Sequence, residues 1–400
     1  MRIVIIGAGQ AAAQAVTTLS SEGFTGNVVV VGDESYPPYQ RPPLSKAYMA
    51  GDFVRERLFL KPDSFYADSK CELRLGMAAT AIDRGAKTVA LSEGGAIPYD
   101  RLLLATGARV RPLPVPGAEL AGVHYLRGID DSDALQRHLI AGAKLAVIGG
   151  GYIGLEVAAV ARKHGLEVTV IEAMDRLMAR TASPHISAFY KDLHEGHGVT
   201  IHLNAAAAAC QGASRVDAVA TSAGRVAADF VLAGIGVMPN CELALEAGLH
   251  CENGITVDEF CQTSDPDIFA AGDCTCHPSL CGARVRLESV QNAIDQAKHA
   301  ALAMIGKPAP YREVPWFWSD QYDIKLQIAG LIRAGDVAVL RGNPASRKFS
   351  VFHLRDGVVA GVEAVNAAPD YIVGRKLIAA RARIAPERLA DLNIPAKQLA

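Results

Sequence analysis

Apolar residues in this chain come in short unbroken runs separated by Gly-rich turns and by stretches of helical periodicity. Arg2–Ile6 (RIVII) is a run too short for a buried helix, and it ends at Gly7; it reads as a strand buried on both faces. Helical periodicity follows from Ala11 to about Ser21, then a second apolar run, Asn27–Val31. The pattern predicts a β-α-β opening. The same order returns about 140 residues later: Lys144–Ile148 as strand, Gly149-Gly150-Gly151 as turn, Tyr152–His164 as helix and Glu167–Ile171 as strand. A whole nucleotide-binding unit is therefore repeated. Residues 71–91 alternate like a hairpin. Leu102–Ala105, Phe230–Gly236 and Ile268–Ala270 are further strands, and Glu288–Ile305 is a helix. Arg111–Gly117 (RPLPVPG) carries three prolines and reads as a linker, and the Pro-rich Tyr36–Lys46 as an ordered loop. Beyond Lys307-Pro308 the texture changes to WFWSDQYD, four short strands between about Lys325 and Glu363, and a basic helix near Tyr371–Ala380.

Composition narrows the class. Of 400 residues half are hydrophobic and a fifth charged, which supports a large core and excludes global disorder. The net charge of −2 argues against a nucleic-acid binder. No apolar run approaches the ~18–20 residues of a transmembrane helix, so no membrane association is expected. Eight cysteines do not make a disulfide scaffold, and the start reads as a strand rather than a targeting signal. A reduced, cytoplasmic protein is expected. Residues 1–300 hold 26 basic and 33 acidic side chains, a net of −7, whereas residues 301–400 hold 14 and 9, a net of +5. A basic module thus follows an acidic body.

The first fingerprint is Gly7-x-Gly9-x-x-Ala12. Gly7 makes the tight turn, Gly9 lets the backbone approach a pyrophosphate, and Ala12 lets helix pack closely on strand. Asp33, 21 residues beyond Ala12, stands where a ribose-binding acid belongs, with Glu34 beside it. The second fingerprint is Gly149-x-Gly151-x-x-Gly154, with Glu172 following 18 residues on. A carboxylate there accepts ribose hydroxyls and repels a 2′-phosphate, which favours NAD over NADP, although Arg176 lies nearby. Two dinucleotide sites in one chain suit hydride movement between nicotinamide and flavin, with FAD on the first site and NAD (as NADH) on the second. Ala271-Gly272-Asp273, after the strand ending at Ala270, suits a carboxylate reaching the flavin ribityl chain; a helix N-cap is the alternative reading of Asp273.

These fingerprints, with Leu104–Ala108 (LATGA), Gly149–Glu156 (GGGYIGLE) and Ala271–Asp273, resemble the FAD/NAD(P) pyridine-nucleotide disulfide oxidoreductases. Arg41–Lys46 (RPPLSK), Glu288–Ala293 and Pro315–Asp320 (PWFWSD) are similar to the ferredoxin reductases of the putidaredoxin reductase and biphenyl-dioxygenase reductase type. The resemblance implies an α/β, glutathione-reductase-like fold. Its parts would be a split FAD domain (1–112 and 242–310), an NAD domain (113–241) and a C-terminal α+β domain (311–400). It implies Pro42 and Lys46 beside the flavin ring, Glu156 by the nicotinamide carboxamide and Trp318 over the flavin edge, with Glu156, Lys46 and Trp318 serving catalysis. It further assigns Ala11, Arg41, Ala79, Ala105, Arg127, Glu288, Val290, Ala293, Ile153 and Gly236 to cofactor binding. Relatives with a redox dithiol or a single active cysteine need a thiolate beside the flavin. No cysteine lies between residues 1 and 70, so direct electron transfer from flavin to a partner is expected. The implied activity is NADH-dependent reduction of a 2Fe–2S ferredoxin that serves a P450 or a Rieske oxygenase. Alternatives are a rubredoxin reductase, or an NADH-sensing flavoprotein resembling apoptosis-inducing factor.

Two clusters invite a metal reading. Cys274, Cys276, His277 and Cys281 lack a common zinc spacing and read as local thiols in a variable loop, so no metal is expected. His194, His197 and His202 read as surface histidines at a helix-to-strand turn.

Overall fold

The computed structural model describes residues 1–280 and 282–399, which form two compact units. The first unit comprises Met1–Gln40, Arg55–Arg109 and Met238–Pro315. Its centre is a five-stranded parallel sheet in the order Ile268–Ala270, Arg101–Leu104, Arg2–Ile6, Asn27–Gly32, Cys71–Leu75. The unbroken apolar runs are explained by burial on both faces: Ile3, Val4, Ile5, Val30 and Leu103 are sealed from solvent. Ala11, Ala12 and Ala15 of the helix Gln10–Ser21 share one core with Ala293, Ala297 and Ala300 of the helix Val290–Met304. Small side chains let these helices approach closely.

The expected hairpin over residues 71–91 is corrected. Cys71–Leu75 pairs in parallel with Asn27–Gly32 as the edge of the main sheet, and the antiparallel pairing begins only at Ala79–Asp83 with Thr88–Leu91. Alternation alone does not choose a partner, and the apolar edge of the main sheet supplied one.

The second unit comprises Arg41–Val54, Val110–Val237 and the chain from Trp316 onward. It repeats the architecture of the first: a parallel sheet ordered Thr200–His202, Glu167–Ile171, Lys144–Ile148, Phe230–Ala233, Val123–His124. In both sheets the strand that feeds the Gly-rich turn is central. Such central placement puts the turn at a crevice beyond the carboxyl ends of the strands.

After this sheet comes a five-stranded antiparallel one, ordered Trp316–Gln321, Ile324–Gly330, Val358–Val365, Lys348–Arg355, Val337–Asn343. Thus WFWSDQ is itself a strand, one more than expected. The helix Ala368–Ala379 lies so close to this sheet that a Cβ at Gly374 would stand 2.5 Å from Val362 Cγ1. The fold is α/β, with two Rossmann-type sheets and a C-terminal α+β part.

Candidate functional site

The two Gly-rich turns are built alike. Gly7 has φ +105° and Gly149 φ +104°, a conformation open to glycine and strained for other residues. Gly7 N donates to Val31 O at 2.7 Å, and Gly149 N to Ile171 O at 2.8 Å. A Cβ on Gly7 would sit 2.2 Å from Ala105 O, and one on Gly149 2.4 Å from Gly234 O. Gly154 is equally confined, 2.4 Å from Gly149 O, which explains the close packing of its helix.

The middle glycines differ. Gly9 and Gly151 stand at the N-termini of the helices Gln10–Ser21 and Tyr152–Lys163, and a Cβ on either would meet nothing within 4 Å. Neither helix has a side-chain cap, so its first amides face outward. Open space beside uncapped amides at a helix N-terminus is what a pyrophosphate occupies. Both turns therefore fit a dinucleotide.

Glu172 is pinned on both oxygens: Oε2 accepts from Gly150 N at 2.7 Å and Oε1 from Met174 N at 2.8 Å. This fastens the acid to the second turn. Arg176 spends its guanidinium internally, donating to Ala182 O, Ser187 Oγ and Ala179 O.

The densest chemistry of the second unit surrounds Glu156, whose side chain is 1% exposed. The helix Tyr152–Lys163 buries Glu156, and the short 3₁₀ turn Pro42–Ser45 brings up its partners. Lys46 Nζ lies 2.7 Å from Glu156 Oε2, which also accepts from Ser45 Oγ at 2.5 Å. Ser319 Oγ donates to Oε1 at 2.6 Å. Sequence reasoning brought Glu156 and Lys46 forward and missed Ser45 and Ser319. Their signal was present: each is the only hydroxyl of its motif, RPPLSK and PWFWSD. A buried carboxylate needs such donors, and removing one partner of a buried pair typically costs about 3–5 kcal/mol.

Comparison with known proteins bears directly on this pair of turns. The family described as pyridine nucleotide-disulphide oxidoreductase matches residues 1–297, and the reductase C-terminal family matches residues 316–400. The chain belongs to the pyridine nucleotide-disulphide oxidoreductases. It is 48% identical to rhodocoxin reductase of Rhodococcus erythropolis over 99% of this chain and 94% of the relative. It is 43% identical to the ferredoxin–NAD(+) reductase component of the anthranilate 1,2-dioxygenase system of Burkholderia cepacia, over 98% of each chain. A solved covalent putidaredoxin reductase–putidaredoxin complex matches at a TM-score of 0.97 and 42% identity, covering 100% of this chain and 97% of that one.

The remaining residues expected to serve an oxidoreductase of this family fall as follows. In the first unit, Asp33 is exposed at the end of its strand, whereas the neighbouring Glu34 accepts from Tyr39 OH at 2.5 Å. Ala11, Ala12 and Ala293 are buried, Ala105 backs Gly7, Ala79 opens the hairpin, and Val290 starts its helix. Glu288 pairs with Arg286 at 2.7 Å. Thr106, in the LATGA motif, is locked to Asn240: Thr106 Oγ1 donates to Asn240 O at 2.7 Å and Asn240 Nδ2 to Thr106 O at 2.9 Å. Asn240 had no signal in the sequence.

Asp273 caps no helix; the strand Thr275–Pro278 follows it, and Gln296 Oε1 accepts from Gly272 N and Thr275 Oγ1, both at 2.8 Å, to hold the turn. In the second unit, Arg41 Nη1 donates to Arg127 O at 2.6 Å, Gly236 has φ +102°, Ile153 is 44% exposed, and Pro42 opens the 3₁₀ turn. Trp318 is half-buried, on the strand face opposite Ser319.

Both metal-like clusters are corrected in their setting. Cys274, Cys276 and His277 are buried at the strand Thr275–Pro278, not in a variable loop, and burial raises the Cys274 thiol to about 11. Cys281 lies outside the described residues. Among the described residues no group of three His, Cys, Asp or Glu side chains is arranged for a metal ion. His194 is wholly buried rather than at the surface, because the helix Pro184–Gly196 turns it inward.

Burial pushes His194 and His277 down to about 4 from 6.5. The unfolded chain then binds protons that the folded state refuses. Stability is full above about pH 6.5 and falls between about 6.5 and 4, by roughly 3 kcal/mol per histidine. Denaturant midpoints measured from about pH 8 downward should begin to drop just below 6.5, ahead of ordinary carboxylates; a plateau reaching about pH 5 contradicts this.

Proposed function

We propose that this chain carries electrons from NADH through FAD to a 2Fe–2S ferredoxin that serves a P450 or a Rieske oxygenase, in the cytoplasm. The observation that carries the reading is the presence of two open glycine cradles, at Gly9 and Gly151, each on an uncapped helix N-terminus. The named relatives support ferredoxin as acceptor: one belongs to a dioxygenase system, and another is solved with putidaredoxin attached. When bound, FAD accepts a hydride from NADH and yields its two electrons singly, which matches a two-electron donor to one-electron acceptors.

The protein's own part is binding and orientation. Gly7, Gly9 and Ala12 seat the flavin dinucleotide, with Asp273 for its ribityl chain. Gly149, Gly151 and Gly154 seat the nicotinamide dinucleotide, with Glu172 for its ribose. Lys46, Glu156 and Trp318 are the residues proposed to attend hydride transfer. The corresponding domain division is 1–112 with 242–310 for FAD, 113–241 for NAD, and 311–400 for the C-terminal part. The test is reconstitution: the FAD-loaded protein with NADH should reduce cytochrome c rapidly only when a 2Fe–2S ferredoxin is added. Rates indifferent to ferredoxin reject it as the acceptor.

The basic C-terminal region offers the docking surface. The helix Ala368–Ala379 ends before Arg383, which bridges to Val358, so Lys376 and Arg383 do not share a helix. Arg375 is half-buried, 5.6 Å above the Trp316 ring. Lys376, Arg381, Arg383 and Arg388 are exposed. Complementary charge accelerates encounter and is screened within ~8 Å at physiological salt. Reversal to Glu at Lys376, Arg381 and Arg383 together should slow ferredoxin reduction about 10-fold at low salt and leave flavin reduction by NADH unchanged. Indifference to both reversal and salt would place docking elsewhere.

A further inference from the structure

Four hydrogen bonds lead away from the Glu156–Lys46 pair through the interior of the second unit. Glu156, Ser319, Gln321 and His194 are each at most 2% exposed. Ser319 Oγ donates to Glu156 Oε1 at 2.6 Å, and Gln321 Nε2 donates to Ser319 Oγ at 3.1 Å. His194 Nε2 stands 2.8 Å from Gln321 Oε1, and Tyr322 OH stands 3.1 Å from His194 Nδ1. Lys46 Nζ and Ser45 Oγ complete the shell on the other oxygen.

The direction of every bond follows from its end. An ionised carboxylate only accepts, so Ser319 spends its single proton on Glu156. Its oxygen must then accept, which fixes the amide face of Gln321 toward Ser319 and the carbonyl face toward His194. His194 therefore donates from Nε2, and its Nδ1 accepts from Tyr322. Strand geometry makes the line possible. Phe317, Ser319 and Gln321 alternate onto one face of Trp316–Gln321, so a single strand reaches Glu156 on one helix and His194 on another.

We propose that Ser319, Gln321 and His194 are positioning residues, a one-way donor relay that fixes the Glu156 carboxylate against Lys46 and so sets the rate of hydride transfer. The proposal rests on the reading of Glu156 as a residue attending that transfer. None of the three need touch the cofactor. In a low-dielectric interior such bonds are strong, and loss of one leaves a buried acceptor unsatisfied and its neighbours free to turn. Burial holds His194 at about 4, so the imidazole stays neutral and the polarity is the same throughout the physiological range.

The test uses the FAD-loaded protein and stopped-flow reduction by NADH. Ser319→Ala and Gln321→Met, the latter two bonds away from Glu156, should lower the limiting rate about 10-fold with NADH affinity changed less than about 2-fold, the pattern of misorientation rather than lost binding. Ser319→Thr, which keeps the hydroxyl, should recover most of the rate. A second readout is independent of turnover: nitrogen-15 NMR of histidine-labelled protein should place the His194 proton on Nε2 at neutral pH. A proton on Nδ1 overturns the relay, as does an unchanged limiting rate in both Ser319→Ala and Gln321→Met. Glu156→Gln separates the two levels. If it slows reduction while the relay variants do not, the relay alone fails; if it changes nothing, the reading of Glu156 fails and the relay with it. Should Gln321→Met not fold, the Ser319→Ala and Ser319→Thr pair and the imidazole tautomer decide.

Discussion

Gly151→Val should give a protein that keeps its flavin and loses NADH. A Cβ at this position meets no atom within 4 Å and the backbone there does not demand glycine, so the fold is expected to tolerate the change. The space it fills is the cradle at the uncapped N-terminus of Tyr152–Lys163. An NADH affinity at least about 100-fold weaker is expected, equivalent to ~2.7 kcal/mol, with flavin content and the thermal midpoint near wild type. Gly9→Val should do the reverse, yielding a folded but flavin-free chain that still binds NADH. Gly7→Ala and Gly154→Ala test the contrast. Each would push a Cβ to within 2.2–2.4 Å of a backbone oxygen, and loss of folding rather than selective loss of a cofactor is expected. Normal NADH binding by Gly151→Val would remove the second cradle from the account.

The second large effect is cofactor choice. Wild-type protein should prefer NADH over NADPH by about 100-fold in kcat/KM, ~2.7 kcal/mol. The carboxylate of Glu172 is anchored by Gly150 N and Met174 N, so it cannot swing away from a 2′-phosphate. Arg176 is spent on Ala182, Ser187 and Ala179 and cannot compensate. Glu172→Gln keeps an acceptor for one of the two backbone amides and removes the charge. It should cut the preference at least about 10-fold, chiefly by improving NADPH. The measurement is kcat/KM for both dinucleotides with one electron acceptor. Similar values for wild type would deny Glu172 this role.

Much of the framework was legible because it is written locally. Parallel strands buried on both faces must be unbroken apolar runs, so Arg2–Ile6, Lys144–Ile148 and Glu167–Ile171 were readable to the residue. The tight turns demanded glycine at Gly7 and Gly149, and their repetition marked two nucleotide units. Where partners are distant the sequence alone went astray. The strand Cys71–Leu75 alternates as a hairpin arm does, yet it pairs with Asn27–Gly32. His194 sits in a polar stretch of helix, and only the packing of that helix turned it inward.

The sequence by itself determined that this chain carries two dinucleotide-binding units and no cysteine between residues 1 and 70, because glycine turns and apolar runs are set by neighbours in the chain. The tertiary structure decided what surrounds Glu156. Ser45 and Ser319 lie 111 and 163 residues away along the chain, and His194 and Gln321 are 127 apart. Each of these polar side chains could equally have faced water. Burial made a donor obligatory for every acceptor, and that requirement exists only once the elements have packed.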